Sequence, residues 1–138
     1  MNEGLVREDS KKIAFVSASL LEQAINIQEA HKWVYCMIEK YDELPTYMYF
    51  LMEADNWASF RKIIDFNISL KSKNTDEIYK SLAAIGYNRG LALDEEDKII
   101  SKRAAFNALK RNPEIIQYFQ EVFPFIELPE SVTQYLPT

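Results

Sequence analysis

The chain has one histidine, His31, and one cysteine, Cys36. Any chemistry needing imidazole or thiol must be built from a single copy of each. Metal sites and proton relays usually gather histidine with acidic or further histidine partners on one face. Glu29 lies two residues before His31 and Tyr35 four after it. No carboxylate stands at four-residue spacing, and no His-Glu-x-x-His run occurs. A partly exposed helix position is the better reading of His31. Cys36 lies between Tyr35 and Met37, close to a predicted helix C-terminus. There the helix dipole opposes a thiolate, and reactive thiols need the opposite environment. Cys36 is therefore read as buried filler. With only one cysteine, neither an intramolecular disulfide nor a cysteine-built zinc site can form.

Two charged runs invite other chemistry. "LDEEDK" at 93–98 gathers carboxylates of the kind that bind Mg²⁺ or exchange protons. The same residues also suit a helix start, with Asp94 as cap and Glu95, Glu96 and Asp97 in the first turn. The glycine of a calcium-binding loop does not follow. "KRAAFNALKR" at 102–111 places Phe106 among Lys102, Arg103, Lys110 and Arg111. That is a faint nucleic-acid pattern, but Lys110 and Arg111 fall in a last helical turn, where cations are favoured anyway. No glycine-rich phosphate loop, nucleophile elbow or kinase signature occurs.

The most distinctive stretch is "YDELPTYMYFLMEADNW", residues 41–57. It contains five aromatics, two methionines and four acids, with no lysine or arginine. On an α-helix starting at Thr46, Tyr47, Phe50, Leu51, Ala54 and Trp57 share one face. Met48, Tyr49 and Met52 fall largely outside it. A helix apolar on most sides is either central in a core or lies at an interface. Tyrosine and methionine are enriched at interface centres, and tyrosine supplies contact area at low entropic cost. Asp42, Glu43, Glu53 and Asp55 would then form a rim of one sign that selects a basic partner.

Helical signals dominate the elements that must position these residues. From Ser17 to Lys40, apolar residues recur at three- and four-residue intervals, at Leu20, Ala24, Ile27, Ala30, Val34 and Ile38. Ser19 and Glu22 have capping-box spacing. The preceding "KKIAFVS" fits either a short strand or an extension of that helix. Pro45 opens a second helix reaching about Ala54. Asp55 or Asn56 caps a third over "WASFRKIIDFNISL". Asn74 or Thr75 caps the next, and "GYNRG" at 86–90 reads as a turn between helices. Asp94 caps "EEDKIISKRAAFNALKR", Pro113 opens "PEIIQYFQEVF", and Ser131–Leu136 forms a last short turn. The expectation is an all-α, irregular bundle of five to six helices, with residues 1–138 as a single domain.

The totals agree with that class. A chain of 138 residues buries roughly two thirds of its unfolded surface. The net charge of −5, from 21 acids against 16 bases, argues against a nucleic-acid partner. It favours steering toward a basic one. No apolar run is long enough to span a membrane, and "MNEGLVREDSKK" lacks a secretory core. A soluble cytoplasmic protein follows as the expectation.

The tail "PEIIQYFQEVFPFIELPESVTQYLPT" (113–138) resembles the C-terminus of some small helical bacterial proteins, in which an aromatic-rich helix runs into a proline turn and ends near Tyr-Leu-Pro. In general character the chain resembles toxin-immunity proteins, which are small, acidic, cytosolic and without catalytic motifs. That resemblance implies occlusion of a basic toxin surface; no site residue is carried over from it. The resulting expectation is a non-catalytic, cofactor-free domain that binds a basic protein, with no nucleic-acid or membrane partner. Tyr47, Tyr49 and Trp57 would be its anchors, and Asp42, Glu43, Glu53 and Asp55 its charged rim. Two alternatives stand beside it. One is a small carboxylate-based, metal-dependent enzyme using Glu22 and Glu29 with Asp94–Asp97. The other is a homo-oligomeric scaffold, such as a homodimer, that buries the aromatic stretch against its own copy.

Overall fold

The computed structural model describes residues 3–91 and 100–137 and is all-α. The described residues contain eight α-helices and one 3-10 turn. Close packing divides the chain into two compact units. One comprises residues 1–21 and 26–72, the other residues 22–25 and 73–138. Among the described residues, no helix is long and apolar enough to cross a membrane.

The first unit begins with a tight turn in which Val6 and Asp9 exchange backbone hydrogen bonds of 3.0 Å. Helix α1 (Lys11–Leu21) follows, so "KKIAFVS" is helical. Every residue from Ile13 to Leu20 is buried. Burial on all sides erases the polar–apolar alternation that would have marked it as a helix.

The continuous helix expected over Ser17–Lys40 is two helices. α1 stops at Leu21, Gln23 takes a positive φ of 63°, and α2 runs over Ile27–Lys40. The reason is a second capping box with the same spacing as the one read at Ser19 and Glu22. The Asn26 side chain accepts from the Glu29 amide at 2.8 Å, and the Glu29 carboxylate accepts from the Asn26 amide at 3.0 Å. Two orphan amides of α2 are satisfied there. Ser19 caps nothing; it is buried inside α1, and its hydroxyl has no hydrogen-bond partner among the described residues.

Helix α2 buries Ala30, Trp33, Val34 and Met37. Pro45 then leads into α3 (Thr46–Phe50), which tightens directly into a 3-10 turn over Leu51–Glu53. Asn56 caps α4 (Trp57–Ile63), its side chain accepting from the Ser59 amide at 2.9 Å. α4 ends at Ile63 rather than continuing through Ile68 to Leu70. Arg61 Nη1 donates to the Ile64 carbonyl at 2.8 Å, satisfying an acceptor the helix leaves free. The chain then returns to the N-terminal turn, where Ser10 Oγ accepts from the Ser69 amide at 2.8 Å. Lys71 Nζ donates to the Glu8 carbonyl at 2.7 Å.

The second unit is built on α5 (Thr75–Arg89), α6 (Lys102–Arg111), α7 (Glu114–Val122) and α8 (Glu130–Thr133). The "GYNRG" segment is not a turn, because α5 continues through Gly86 to Arg89. Gly86 is there for close approach: a Cβ on it would lie 2.7 Å from the Gln23 carbonyl oxygen. Gly90, at φ 73°, does end the helix in the left-handed conformation glycine adopts without strain. Asp94 lies outside the described residues. Ile100 and Ser101 are not helical, so no single helix runs from Glu95 to Arg111. Ser101 caps α6, accepting from the Ala104 amide at 3.2 Å. Arg111 grips the Glu77 carboxylate through two bonds of 2.9 and 3.1 Å, tying α6 to α5. This fork and hydrogen bonding from Asn112 hold the Glu77 carboxyl below its ordinary pKa.

Candidate functional site

The segment after Pro45 is α-helical over Thr46–Phe50 and tightens to a 3-10 turn only over Leu51–Glu53. The Leu51 amide donates to the Met48 carbonyl and the Ala54 amide to the Leu51 carbonyl, and Met48, Leu51 and Ala54 are all sealed in the first unit. Of the face expected from α-helical spacing, Leu51 and Ala54 are buried, Tyr47 and Trp57 are half-buried, and Phe50 is turned outward. Phe50 is 51% exposed, Tyr49 46% and Met52 41%. Met48, expected outside the core, is inside it.

The three proposed aromatic anchors have different fates. Tyr49 is exposed. Tyr47 is half-buried; its hydroxyl donates to the Leu5 carbonyl at 2.6 Å, and its ring meets Phe66 edge-on with centroids 5.5 Å apart. Burial pushes the Tyr47 phenol well above its usual pKa. Trp57 is also half-buried and donates from Nε1 to Ser17 Oγ at 3.1 Å. Tyr47 and Trp57 are thus fastened into the packing of their own unit. The four acids, Asp42, Glu43, Glu53 and Asp55, are all exposed. No base pairs with them among the described residues. One cation lies at the edge of the segment: Lys40 Nζ is 5.3 Å above the Tyr41 ring.

Further exposed residues lie on α2. Cys36 is exposed, not buried. The helix turns Trp33, Val34 and Met37 inward, and position 36 falls about 110° from the centre of that stripe. Tyr35, 56% exposed, is further round still. A hydrogen bond to the Glu39 carboxylate, with that group's charge, raises the Tyr35 phenol pKa. His31 is half-buried as expected, with Nε2 2.7 Å from the Ala54 carbonyl oxygen. Sequence reasoning missed Tyr35 and Phe50. The available signal for Tyr35 was its place opposite the Trp33–Met37 stripe. Phe50 carried none, because α-helical spacing groups it with Leu51 and Ala54, which are buried.

One depression joins several of these residues. It has a volume of about 530 Å³ and is lined by Thr46, Tyr47, Phe50, Glu53, Ile63 and Asp65. Two aromatic rings and an isoleucine give it apolar walls. Glu53 and Asp65 give it negative charge, and among the described residues no base lines it. Neither carboxylate is engaged by a base among the described residues.

The other candidate centres are placed differently. Glu29 is committed to the cap of α2, and Asp94–Asp97 lie outside the described residues. Among the described residues, no three His, Cys, Asp or Glu side chains gather as a metal-binding group. On α6, Arg111 is held by Glu77, and Lys102 Nζ lies 5.6 Å above the Tyr87 ring. No protein-family model, curated protein or solved structure matches this chain.

Proposed function

We propose that this chain is a non-catalytic protein-binding domain that docks a basic partner on its first unit. In this reading it acts in the cytoplasm, without a cofactor, as an inhibitor of the immunity or antitoxin kind. The observation that carries the proposal is the exposure of Tyr49, Phe50 and Met52 beside sealed Met48 and Leu51. Large apolar side chains left in water next to a closed core are what a protein interface requires. Exposed acids flank them on both sides in sequence, Asp42 and Glu43 before, Glu53 and Asp55 after. Such a rim favours a positively charged partner and repels an acidic one. It also weighs against a homodimer through this face. A two-fold interface sets a patch against its own copy, which here would oppose acid to acid.

The test is affinity capture from the native cell, followed by calorimetry with the purified captured protein. Glu43→Lys and Asp55→Lys are each expected to weaken binding by about threefold at low salt, and by about tenfold together, as the loss of steering by rim charges does. Unchanged affinity in both variants would remove this surface from the function.

A further inference from the structure

We infer that the depression lined by Thr46, Tyr47, Phe50, Glu53, Ile63 and Asp65 receives the side chain of an arginine from the partner. The inference rests on the docking reading above and names the group that enters. An arginine side chain is an apolar stem ending in a planar cation, and the depression offers both complements. Phe50 and Ile63 present hydrocarbon to the stem. The Tyr47 and Phe50 rings attract a cation through their quadrupoles. Glu53 and Asp65 present acceptors to the head.

Three features select this occupant. Both carboxylates lack a basic partner of their own among the described residues, so an incoming cation displaces no existing ion pair. The Tyr47 ring is already fixed by its 2.6 Å bond to the Leu5 carbonyl and by Phe66, so little ordering cost remains on that wall. The same aromatic cluster also accepts a guanidinium elsewhere. Arg7 Cζ lies 5.8 Å from the centroid of Phe66, the ring that packs against Tyr47. Arginine is favoured over lysine because a planar, weakly hydrated fork can stack on a ring while donating to two separate carboxylates. A carboxylate would meet only repulsion here. A purely apolar side chain would bury Glu53 and Asp65 without compensation.

The test uses N-acetyl-arginine amide titrated into the isotope-labelled full chain and followed by two-dimensional NMR. Shift changes are expected to concentrate on the six lining residues. Glu53→Gln and Asp65→Asn are each expected to weaken binding by about threefold, the scale of exposed charge pairs, with thermal stability unchanged. Tyr35→Ala, on α2 and outside the depression, is expected to leave the probe's affinity unaltered. Equal binding of N-acetyl-citrulline amide, which is neutral and nearly isosteric, would overturn the inference. So would equal binding of N-acetyl-lysine amide, or shifts spread evenly over Asp42, Glu43 and Asp55. Failure of the docking reading looks different: the arginine probe binds as described, while Glu43→Lys and Asp55→Lys leave the purified partner's affinity unchanged. If instead the probe fails and those charge reversals still weaken the partner, the arginine assignment is wrong and the docking surface stands.

Discussion

At the scale of single residues, Tyr47 shows how an aromatic that looks available for a partner is used at home. Its hydroxyl satisfies the carbonyl of Leu5, a residue only 1% exposed. Removing that donor leaves a buried acceptor without a partner, at a cost of about 1–2 kcal/mol. Tyr47→Phe should therefore lower the stability measured by urea denaturation at neutral pH. Alkali supplies a second readout. Burial raises the Tyr47 pKa in the folded state above the ordinary value of 10.0. The folded chain thus keeps its phenolic proton after the unfolded chain has lost it. Stability from this group is complete below about pH 10 and falls as the pH rises further. In Tyr47→Phe the alkaline limb of the stability–pH curve should be shallower than in the wild type. Parallel limbs would mean that the phenol ionises equally easily in both states, and that it is less desolvated than its packing implies.

At the scale of elements, the two capping signals at 19–22 and 26–29 make a direct comparison. Both have a small polar residue followed three positions later by glutamate, yet only Asn26 and Glu29 form the reciprocal bonds. Asn26→Ala is expected to destabilise the protein by about 1 kcal/mol, the usual worth of such a cap. Ser19→Ala is expected to do the reverse and stabilise by about 1 kcal/mol. It removes a buried hydroxyl that has no partner among the described residues and installs the best helix former. Chemical denaturation of both variants decides this, and a loss of stability in Ser19→Ala would mean that its hydroxyl is satisfied after all. The pair also marks how far the elements were legible. Helical class, the Asn56 cap, the Gly90 stop and the Pro113 start are local signals, written in a few adjacent residues. The break at 22–26 was hidden by a competing signal of identical spacing. Gly86 read as punctuation because glycine's other use, admitting the backbone at Gln23, depends on a distant part of the sequence. The candidate site was legible in composition but not in orientation. α3 keeps α-helical winding through Phe50 yet turns Met48 inward and Phe50 outward, a rotation about the helix axis that local spacing does not specify.

At the scale of the whole molecule, the distribution of charge matters more than its sum of −5. Residues 41–60 hold four acids and no base, whereas α6 carries Lys102, Arg103, Lys110 and Arg111. A basic partner would therefore be drawn to the segment around the exposed aromatics and turned away from α6. Long-range attraction acts before contact and is screened by salt, whereas apolar burial acts after contact and is not. The two contributions should then separate in the kinetics of binding to the purified partner. Glu43→Lys combined with Asp55→Lys should slow association by about tenfold at low ionic strength. The difference from wild type should close at about 0.5 M salt, where the screening length is only a few ångströms. Tyr49→Ala should leave the association rate nearly unchanged and speed dissociation, because an anchor acts once water has been excluded around it. Surface plasmon resonance across a salt series reads both rates. If Tyr49→Ala alters only association, or the charge reversals alter only dissociation, the acids and the aromatics have been given each other's roles.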